Sequence, residues 1–541
     1  MQSNFRLLYP PGYEKNSHNT MKNFDFIHTL QIDTMIVLIN ESYLGLQKLS
    51  LEDYFTTDTE VLFYRLAIVN DIIGNPYLYE VFCRAINLIR NIHDVSCTMS
   101  SDFTVEASLG VIRYLEMYEE IVELFAGGLK GLSPESEGMR FFKEQIESIK
   151  ESDDYKSLCA ELSGMEVRLG TIKSISVGIN LDETLRVKDA GLLSVESTLY
   201  HEGTIIEKLL KKNPQDSFSL MAPLYPLPKG LTKEELKSIN YGVKSALNTI
   251  FYKSLHSFEP LIQKYYRSST SFFVSLLDDI RFLTAGVGFI LSMKELGLPM
   301  CRPQIAPMQA KKCDLENVYN PALARKSIEQ RIVSNSFAFD EKGRFYLVTG
   351  PNHGGKSIFA YSIGMAQALF QLGLFVPSES ALMSPVSGIY THFPSSDENN
   401  YGKGRLESEC SRLGAIMEEL TDTDMLLMDE TFSSTSGLEA GYIASEVLTG
   451  IGAIGCGGMF VTHIHDLTQQ IDIYNGHPQN KGKIDNLVKG KIDNLVAQMD
   501  SERDGSRSYK ISRTTPDGLS YAKDIAGRYG LHLENIIKNL E

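Results

Sequence analysis

The chain has 541 residues, 43% of them apolar, and a formal net charge of −16. That length and apolar fraction supply sizeable cores for several domains, while the acidic balance excludes a protein whose whole surface grips a polyanion. The seven cysteines (Cys83, Cys97, Cys159, Cys301, Cys313, Cys410 and Cys456) contain no C-x-x-C pair, so they indicate neither a disulfide framework nor a zinc site.

No run reaches the about 18 consecutive apolar residues of a membrane span, and Met1-Gln-Ser-Asn-Phe-Arg6 lacks the basic-then-apolar pattern of a secretory signal. The expected location is the cytoplasm, with no membrane contact. Residues 21 to 130 carry helical spacing, as in Ile36, Leu38 and Ile39 before Tyr43, Leu44 and Leu46, and again in Ile112, Tyr114, Leu115, Tyr118, Ile121 and Leu124. This predicts a helical core domain over 1–134. A second helical stretch runs from Glu135 to Leu169 and a third from Lys233 to Leu296, with a glycine break at Gly286-Val-Gly288. Together they read as the two arms of a lever over 135–299.

Between the arms, Thr171-Ile-Lys-Ser-Ile-Ser-Val-Gly-Ile-Asn180 alternates as a strand does, and Ala222-Pro-Leu-Tyr-Pro-Leu-Pro-Lys-Gly230 is a proline-punctuated loop. Nucleic-acid binding must be local, and its candidates are Lys208, Lys211, Lys212, Lys229, Lys233, Lys237, Lys244, Lys253, Lys264 and Arg267. The same lysines also fit an ordinary solvated helix face.

Residues 349 to 357 read TGPNHGGKS and contain G-x-x-x-x-G-K-S from Gly350 to Ser357. The apolar run Phe345-Tyr346-Leu347-Val348 precedes the loop and a helical pattern from Ile358 to Leu372 follows it, which is the setting of a phosphate-binding loop. Gly350, Gly354 and Gly355 let the backbone turn tightly around Pro351, Asn352 and His353, so that N–H groups and the helix N-terminus face one anionic site. Lys356 is placed for the β- and γ-phosphates of a nucleoside triphosphate, and Ser357 for Mg²⁺.

Asp424-Met-Leu-Leu-Met-Asp-Glu430 has the form of a buried strand ending in two carboxylates, a Walker B pattern. Asp429 would hold Mg²⁺ through its water shell, and Glu430 would orient and polarise the attacking water. A third strand, Gly458 to Thr462, runs into His463, which is placed to sense the γ-phosphate or the lytic water. His465 and Asp466 begin the next helix. Gly482-Lys-Ile-Asp-Asn-Leu-Val-Lys489 is followed at once by Gly490-Lys-Ile-Asp-Asn-Leu-Val-Ala497, identical at seven of eight positions. A period this short is no solenoid unit and reads as a duplication that lengthens a surface loop or hairpin.

Thr349-Gly-Pro-Asn-His-Gly-Gly-Lys-Ser357 resembles the P-loop of the MutS family of mismatch-repair ATPases. Asp429-Glu430 with Ser434-Thr435-Ser436, Thr462-His463 with Asp466-Leu467-Thr468, and Gly518 to Gly527 are similar to further stretches of that family. The resemblance implies an α/β P-loop domain of ABC type over 300–541, ending in a dimerisation segment, with ATP and Mg²⁺ as ligands. It also implies a homodimer in which each nucleotide is closed over by the partner, and DNA, duplex or branched, held by the lever and a clamp inserted at about 171–232. The family's N-terminal mismatch-reading domain has no counterpart in the sequence, and no residue is assigned mismatch specificity.

Three places depart from the family pattern. The trans-acting loop falls at Gly404-Arg-Leu-Glu-Ser-Glu-Cys410, where Glu409 is kept but Gly404 and Arg405 replace hydroxyl residues. Arg405 either reaches the partner's γ-phosphate as an arginine finger or pairs with Glu407 or Glu409. At Arg331 to Asn335 the family's adenine-stacking aromatic is replaced by Ile332, and Thr431-Phe432-Ser433 stands where a Gly-Arg-Gly run is expected. The reading is an ATP-switched DNA clamp, with a protein-interaction or structural-maintenance ATPase as the alternative.

Overall fold

The computed structural model describes residues 5–13, 21–37, 50–98, 105–169, 174–181, 183–184, 187–196, 271–326, 332–394, 404–432, 435–478, 491–499 and 507–514. The ten basic residues from Lys208 to Arg267, the loop 222–230, the apolar positions Leu38 to Leu46, Arg331, Ser434, the first repeat copy and the segment 518–527 lie outside the described residues.

The N-terminal half is helical. Two single turns, α1 (Phe26–Thr29) and α2 (Ile32–Met35), precede α3 (Thr59–Ile73), α4 (Pro76–Thr98), α5 (Val105–Leu129), α6 (Glu137–Glu151) and α7 (Asp153–Leu169). Local signals set the starts: Asp58 accepts from the Glu60 amide at 2.9 Å ahead of α3, and Pro76 opens α4 where its missing N–H costs nothing. The periodic residues Ile112, Tyr114, Leu115, Tyr118 and Ile121 of α5 are all buried. They join a core in which Phe125 packs edge-on against Phe142, their ring centres 5.0 Å apart.

Helical spacing predicts one helix from Glu135 to Leu169, and the chain makes two. Ser152 leaves the helix at φ −63° and ψ 143°. Its hydroxyl donates to the Ile149 carbonyl at 2.7 Å and accepts from the Tyr155 amide at 3.2 Å, so one side chain closes α6 and caps α7. The break expected at Gly286-Val287-Gly288 is replaced by continuous helix, α8 (Ser271–Glu295). These glycines answer to packing: an added Cβ at Gly286 would stand 2.6 Å from Leu374 Cδ2, and one at Gly288 would stand 2.6 Å from the Tyr79 hydroxyl. The strand read over 171–180 is β1 (Ser174–Leu181), paired antiparallel with a strand the sequence reading missed, β2 (Val187–Glu196).

The C-terminal half is α/β. Its elements are β3 (Gln304–Ile305), β4 (Cys313–Val318), α9 (Pro321–Lys326), β5 (Asn335–Ala338), β6 (Phe345–Thr349), α10 (Lys356–Gln371), β7 (Ser380–Met383) and β8 (Ile389–His392). There follow α11 (Arg405–Glu419), β9 (Met425–Asp429), α12 (Gly437–Ile454), β10 (Gly457–Val461), α13 (Ile471–Gly476), β11 (Ile492–Met499) and β12 (Arg507–Ser512). The main sheet has the order β12-β11-β6-β10-β9-β8, parallel except for β12, and a smaller sheet has the order β3-β7-β4-β5. Tyr346 and Val348 share a core with Phe359 and Ile363 of α10, while Phe345 and Leu347 share one with Leu448 and Ile451 of α12. Both faces are covered, so the central strands are continuously apolar and do not alternate.

The repeat does build a hairpin, β11 with β12, but with β11 inside the main sheet and not on the surface. Its second copy supplies β11, an interior strand in which Ile492 to Val496 pair with Phe345 to Thr349. Ile492 and Ala497 are buried there.

The two halves meet at the C-terminal end of α10. The Arg65 guanidinium is fully buried and donates to the carbonyls of Leu8 (3.2 Å), Tyr54 and Leu372 (3.5 Å). Asp279 of α8, nearby, accepts from the Leu7 amide at 2.9 Å, and burial pushes its pKa up against the pull of Arg6 and Arg65. The Thr56 amide donates to the Gln371 carbonyl at 3.0 Å.

The Gly286 contact has a measurable sign. Alanine in place of glycine gains about 1 kcal/mol of helix propensity, but overpacking costs about 1–3 kcal/mol, so Gly286→Ala should destabilise the protein in urea unfolding. Gly414→Ala on α11, where an added Cβ meets nothing within 4 Å, should stabilise it by about 1 kcal/mol.

Candidate functional site

β6 ends at Thr349 and the glycine loop turns at once into α10. Gly350 has φ +121° and Gly355 φ +89°, values open to glycine and strained for other residues. The loop sits on β11: a Cβ at Gly350 or Gly354 would lie 3.0 Å from Ala497 Cβ. The first repeat copy carries lysine (Lys489) where the second has the small, buried Ala497.

Lys356 is buried and folds back over its own loop, donating to the carbonyls of Gly350 at 2.9 Å and Pro351 at 3.0 Å. Burial pulls its pKa down, with Glu430 and Asp429 opposing. Ser357 donates its hydroxyl to Asp429 Oδ1 at 2.9 Å, joining the start of α10 to the end of β9. Burial pushes the Asp429 carboxyl up to about 6, and Ser357 offsets part of this. The hydroxyl and carboxylate are hard oxygen donors that fit Mg²⁺, which takes few protein ligands and completes its shell with water and phosphate oxygens. Among the described residues no cluster of three or more His, Cys, Asp or Glu is placed to hold a metal by itself.

Glu430 follows Asp429 with φ +48°, and its amide donates to the Val461 carbonyl at 2.9 Å. His463, just past β10, donates from Nε2 to Glu430 Oε1 at 2.7 Å. These groups border a cavity of about 760 Å³, in the range of small-molecule sites. Asn352, His353, Gly354, Gly355, Lys356 and Ser357 line it, as do Glu430 and His463. Ile332 lines it too, with Leu323 and Val333.

Gly404, Arg405 and Glu409 are not among the cavity residues. They lie at the N-terminal end of α11, where Arg405 Nε is 3.7 Å from Glu409 Oε1 and its side chain is 59% exposed. Glu409 is buried, and Oε2 accepts from the Phe432 amide at 3.1 Å. Of the pairings expected for Arg405, the structure shows the contact to Glu409.

Sequence reasoning missed Tyr509. On β12, its backbone has φ +55°, and Asn335 holds the strand by donating to the Tyr509 carbonyl at 3.1 Å and accepting from the Ile511 amide at 2.8 Å. Tyr509 lines the cavity beside the glycine loop, where an added Cβ at Gly355 would lie 3.5 Å from its ring, and is 45% exposed. An aromatic amid the polar run Ser506 to Lys510 was the available signal. His392 was missed as well, though a titratable residue at the carboxyl end of a parallel strand is worth marking.

A glycine loop between strand and helix, with a serine hydroxyl on the carboxylate that ends the neighbouring strand, defines a P-loop domain. The family description MutS domain V matches residues 346–509, and MutS2 N-terminal domain matches residues 57–296. The two matches, one in each half of the chain, support a divergent member of the MutS family.

It is 24% identical over 457 residues to the DNA mismatch repair protein MutS of Petrotoga mobilis, covering 77% of this chain and 52% of that protein. It is 22% identical over 429 residues to the DNA mismatch repair protein MSH2 of Saccharomyces cerevisiae, covering 71% and 43%. With the MutS of Thermosipho melanesiensis identity rises to 33% over 160 residues, 28% of this chain and 19% of the relative. The chain thus spans about half or less of the length of these relatives. No helix among the described residues is long and apolar enough to cross a membrane.

A planar base seated in the cavity would meet Tyr509, an exposed aromatic of its lining. Since stacking of a base on an aromatic contributes about 1–3 kcal/mol, Tyr509→Ala should weaken binding of a fluorescent ATP analogue by about 5- to 150-fold. Tyr509→Phe should bind like the wild type.

Proposed function

We propose that this chain is a Mg²⁺-dependent ATPase of the MutS type, acting as a dimeric clamp whose hold on duplex or branched DNA is switched by ATP. The observation that carries the reading is the pairing of Ser357 with Asp429 beside that of Glu430 with His463, around one cavity. In this reading residues 1–134 are a helical core, 135–299 a lever with a short clamp at about 171–232, and 300–541 the ABC-type ATPase domain with its dimerisation segment.

Each residue then has a task. The loop amides and the N-terminus of α10 receive the β- and γ-phosphates. Lys356 exchanges the carbonyls of Gly350 and Pro351 for phosphate oxygens, so an anion arrives where burial disfavours its charge. Mg²⁺, held through Ser357 and Asp429, would neutralise charge developing on the phosphates. Glu430 orients the attacking water, and His463 donates to its carboxylate, fixing the free oxygen toward the cavity. Gly404, Arg405 and Glu409 place the head of α11 to close the partner's site, with Arg405 leaving Glu409 to reach phosphate.

The names of the relatives support DNA as the partner. The net charge of −16 supports instead a lever that holds protein. Salt separates the two: retention on DNA should fall steeply with salt, and neutralising Lys208, Lys211 and Lys212 should lower the slope by about one unit per lost phosphate contact. Binding that ignores DNA but needs a protein would favour the second reading.

Hydrolysis gives the sharper test. Lys356→Ala should lose both nucleotide binding and turnover. Glu430→Gln should bind ATP normally while kcat drops by about 10²–10⁴-fold, the contribution of a positioned base. Wild-type turnover in Glu430→Gln would remove Glu430 from the mechanism.

A further inference from the structure

The turn after β9 is held in an unusual backbone. Glu430 has φ +48° and Phe432 φ +67°, a region that residues other than glycine occupy only where their surroundings keep them there. Thr431, between them, is buried.

Two groups from outside the turn supply the restraint. Glu409 of α11 accepts from the Phe432 amide at 3.1 Å. His392, the last residue of β8 and 1% exposed, lies between α11 and the turn. Its Nε2 is 3.3 Å from the Glu409 carbonyl and its Nδ1 2.9 Å from the Thr431 hydroxyl.

The chemistry of the partners fixes the tautomer. Burial, aided by Arg412, pushes the His392 pKa down to about 4, so the ring is neutral at ordinary pH. A carbonyl oxygen only accepts, so Nε2 carries the proton. Nδ1 must then accept, and it takes the Thr431 hydroxyl proton in preference to the His392 carbonyl, which is 3.4 Å away. His392, Thr431 and Glu409 are not among the residues that line the cavity. They act on it only through Glu430.

We propose that His392 is a positioning residue for Glu430, holding the strained turn through Thr431 and tying it, with Glu409, to the first turns of α11. The exposed head of α11, Gly404 and Arg405, thereby becomes an input: whatever engages it shifts the carboxylate of Glu430 in the same chain without touching that chain's own nucleotide. The inference rests on the reading of Glu430 as the residue that orients water.

The test is steady-state hydrolysis together with equilibrium binding of a fluorescent ATP analogue, on the full chain. Thr431→Val keeps the side-chain shape and removes the hydroxyl, and His392→Ala removes the whole link. Both should lower kcat by about 10- to 100-fold, the scale of loss from a small misplacement, while the nucleotide Kd stays within about threefold. His392→Asn, whose amide can replace the Nδ1 contact, should recover most of the loss. Wild-type kcat in Thr431→Val and His392→Ala beside an inactive Glu430→Gln would overturn the positioning role alone. Parallel losses of binding and turnover, not recovered by His392→Asn, would overturn it too, because general structural damage would then explain them. An active Glu430→Gln would overturn the parent reading and with it this one.

Discussion

Helix α10 is buried along nearly its whole length, from Lys356 and Phe359 through Ile363, Met365 and Ala368 to Gln371, and the rest of the structure is arranged around that constraint. Beyond the exposed Ile358 of its first turn and the half-buried Tyr361 it has no solvent face, so the sheet, the N-terminal segment and the helical half must cover it from Ser362 on. Gly364 shows how close the fit is, since an added Cβ there would stand 2.5 Å from Leu427 of β9 and 2.9 Å from Leu30 after α1. At one end the helix carries the glycine loop. At the other, its last carbonyls are taken by Thr56 and Arg65, beside Tyr54, whose ring stacks at 4.2 Å on Phe282 of α8. The packing is therefore continuous from the glycine-loop end of α10 to the helical half, and a close-packed interior transmits strain.

The site itself is electrically unsettled. Burial works against the positive form of Lys356 and the negative form of Asp429 at the same time. Phosphate beside the first and a divalent cation beside the second would favour both charged forms together. Lys356 meanwhile occupies backbone carbonyls, and Ser357 occupies Asp429. The groups that would meet a nucleotide are therefore already near their working places, which lowers the cost of organising them.

Much of this could be read from the chain because local chemistry dictated it. Gly350, Gly355, Lys356 and Ser357 announce a loop that few other structures need, and the apolar runs ending at Thr349, Asp429 and Val461 are the three central parallel strands. The failures share another cause: residues whose role is set by partners far along the chain. Gly286 looks like a helix breaker and is a contact with Leu374. The second repeat copy, read as a surface loop or hairpin, does form a hairpin with β12, but its β11 is interior because β6 has an edge to fill and Ile492 and Ala497 suit the buried side. Tyr509 gains meaning only when Asn335, 174 positions earlier, brings its strand to the glycine loop. Ser152 is the exception, a local cap that the spacing of apolar residues hid.

The central claim is that the cavity between the glycine loop and Tyr509 binds a Mg²⁺-nucleoside triphosphate through Ser357 and Asp429. Calorimetric titration of the full chain with a non-hydrolysable ATP analogue, with Mg²⁺ and then with EDTA, measures it directly. The account predicts saturable binding of one nucleotide per chain that is strengthened by Mg²⁺, and loss of that Mg²⁺ dependence in Ser357→Ala while Mg²⁺-free binding persists. Absence of binding, or binding equally strong in EDTA and indifferent to Ser357, would contradict it.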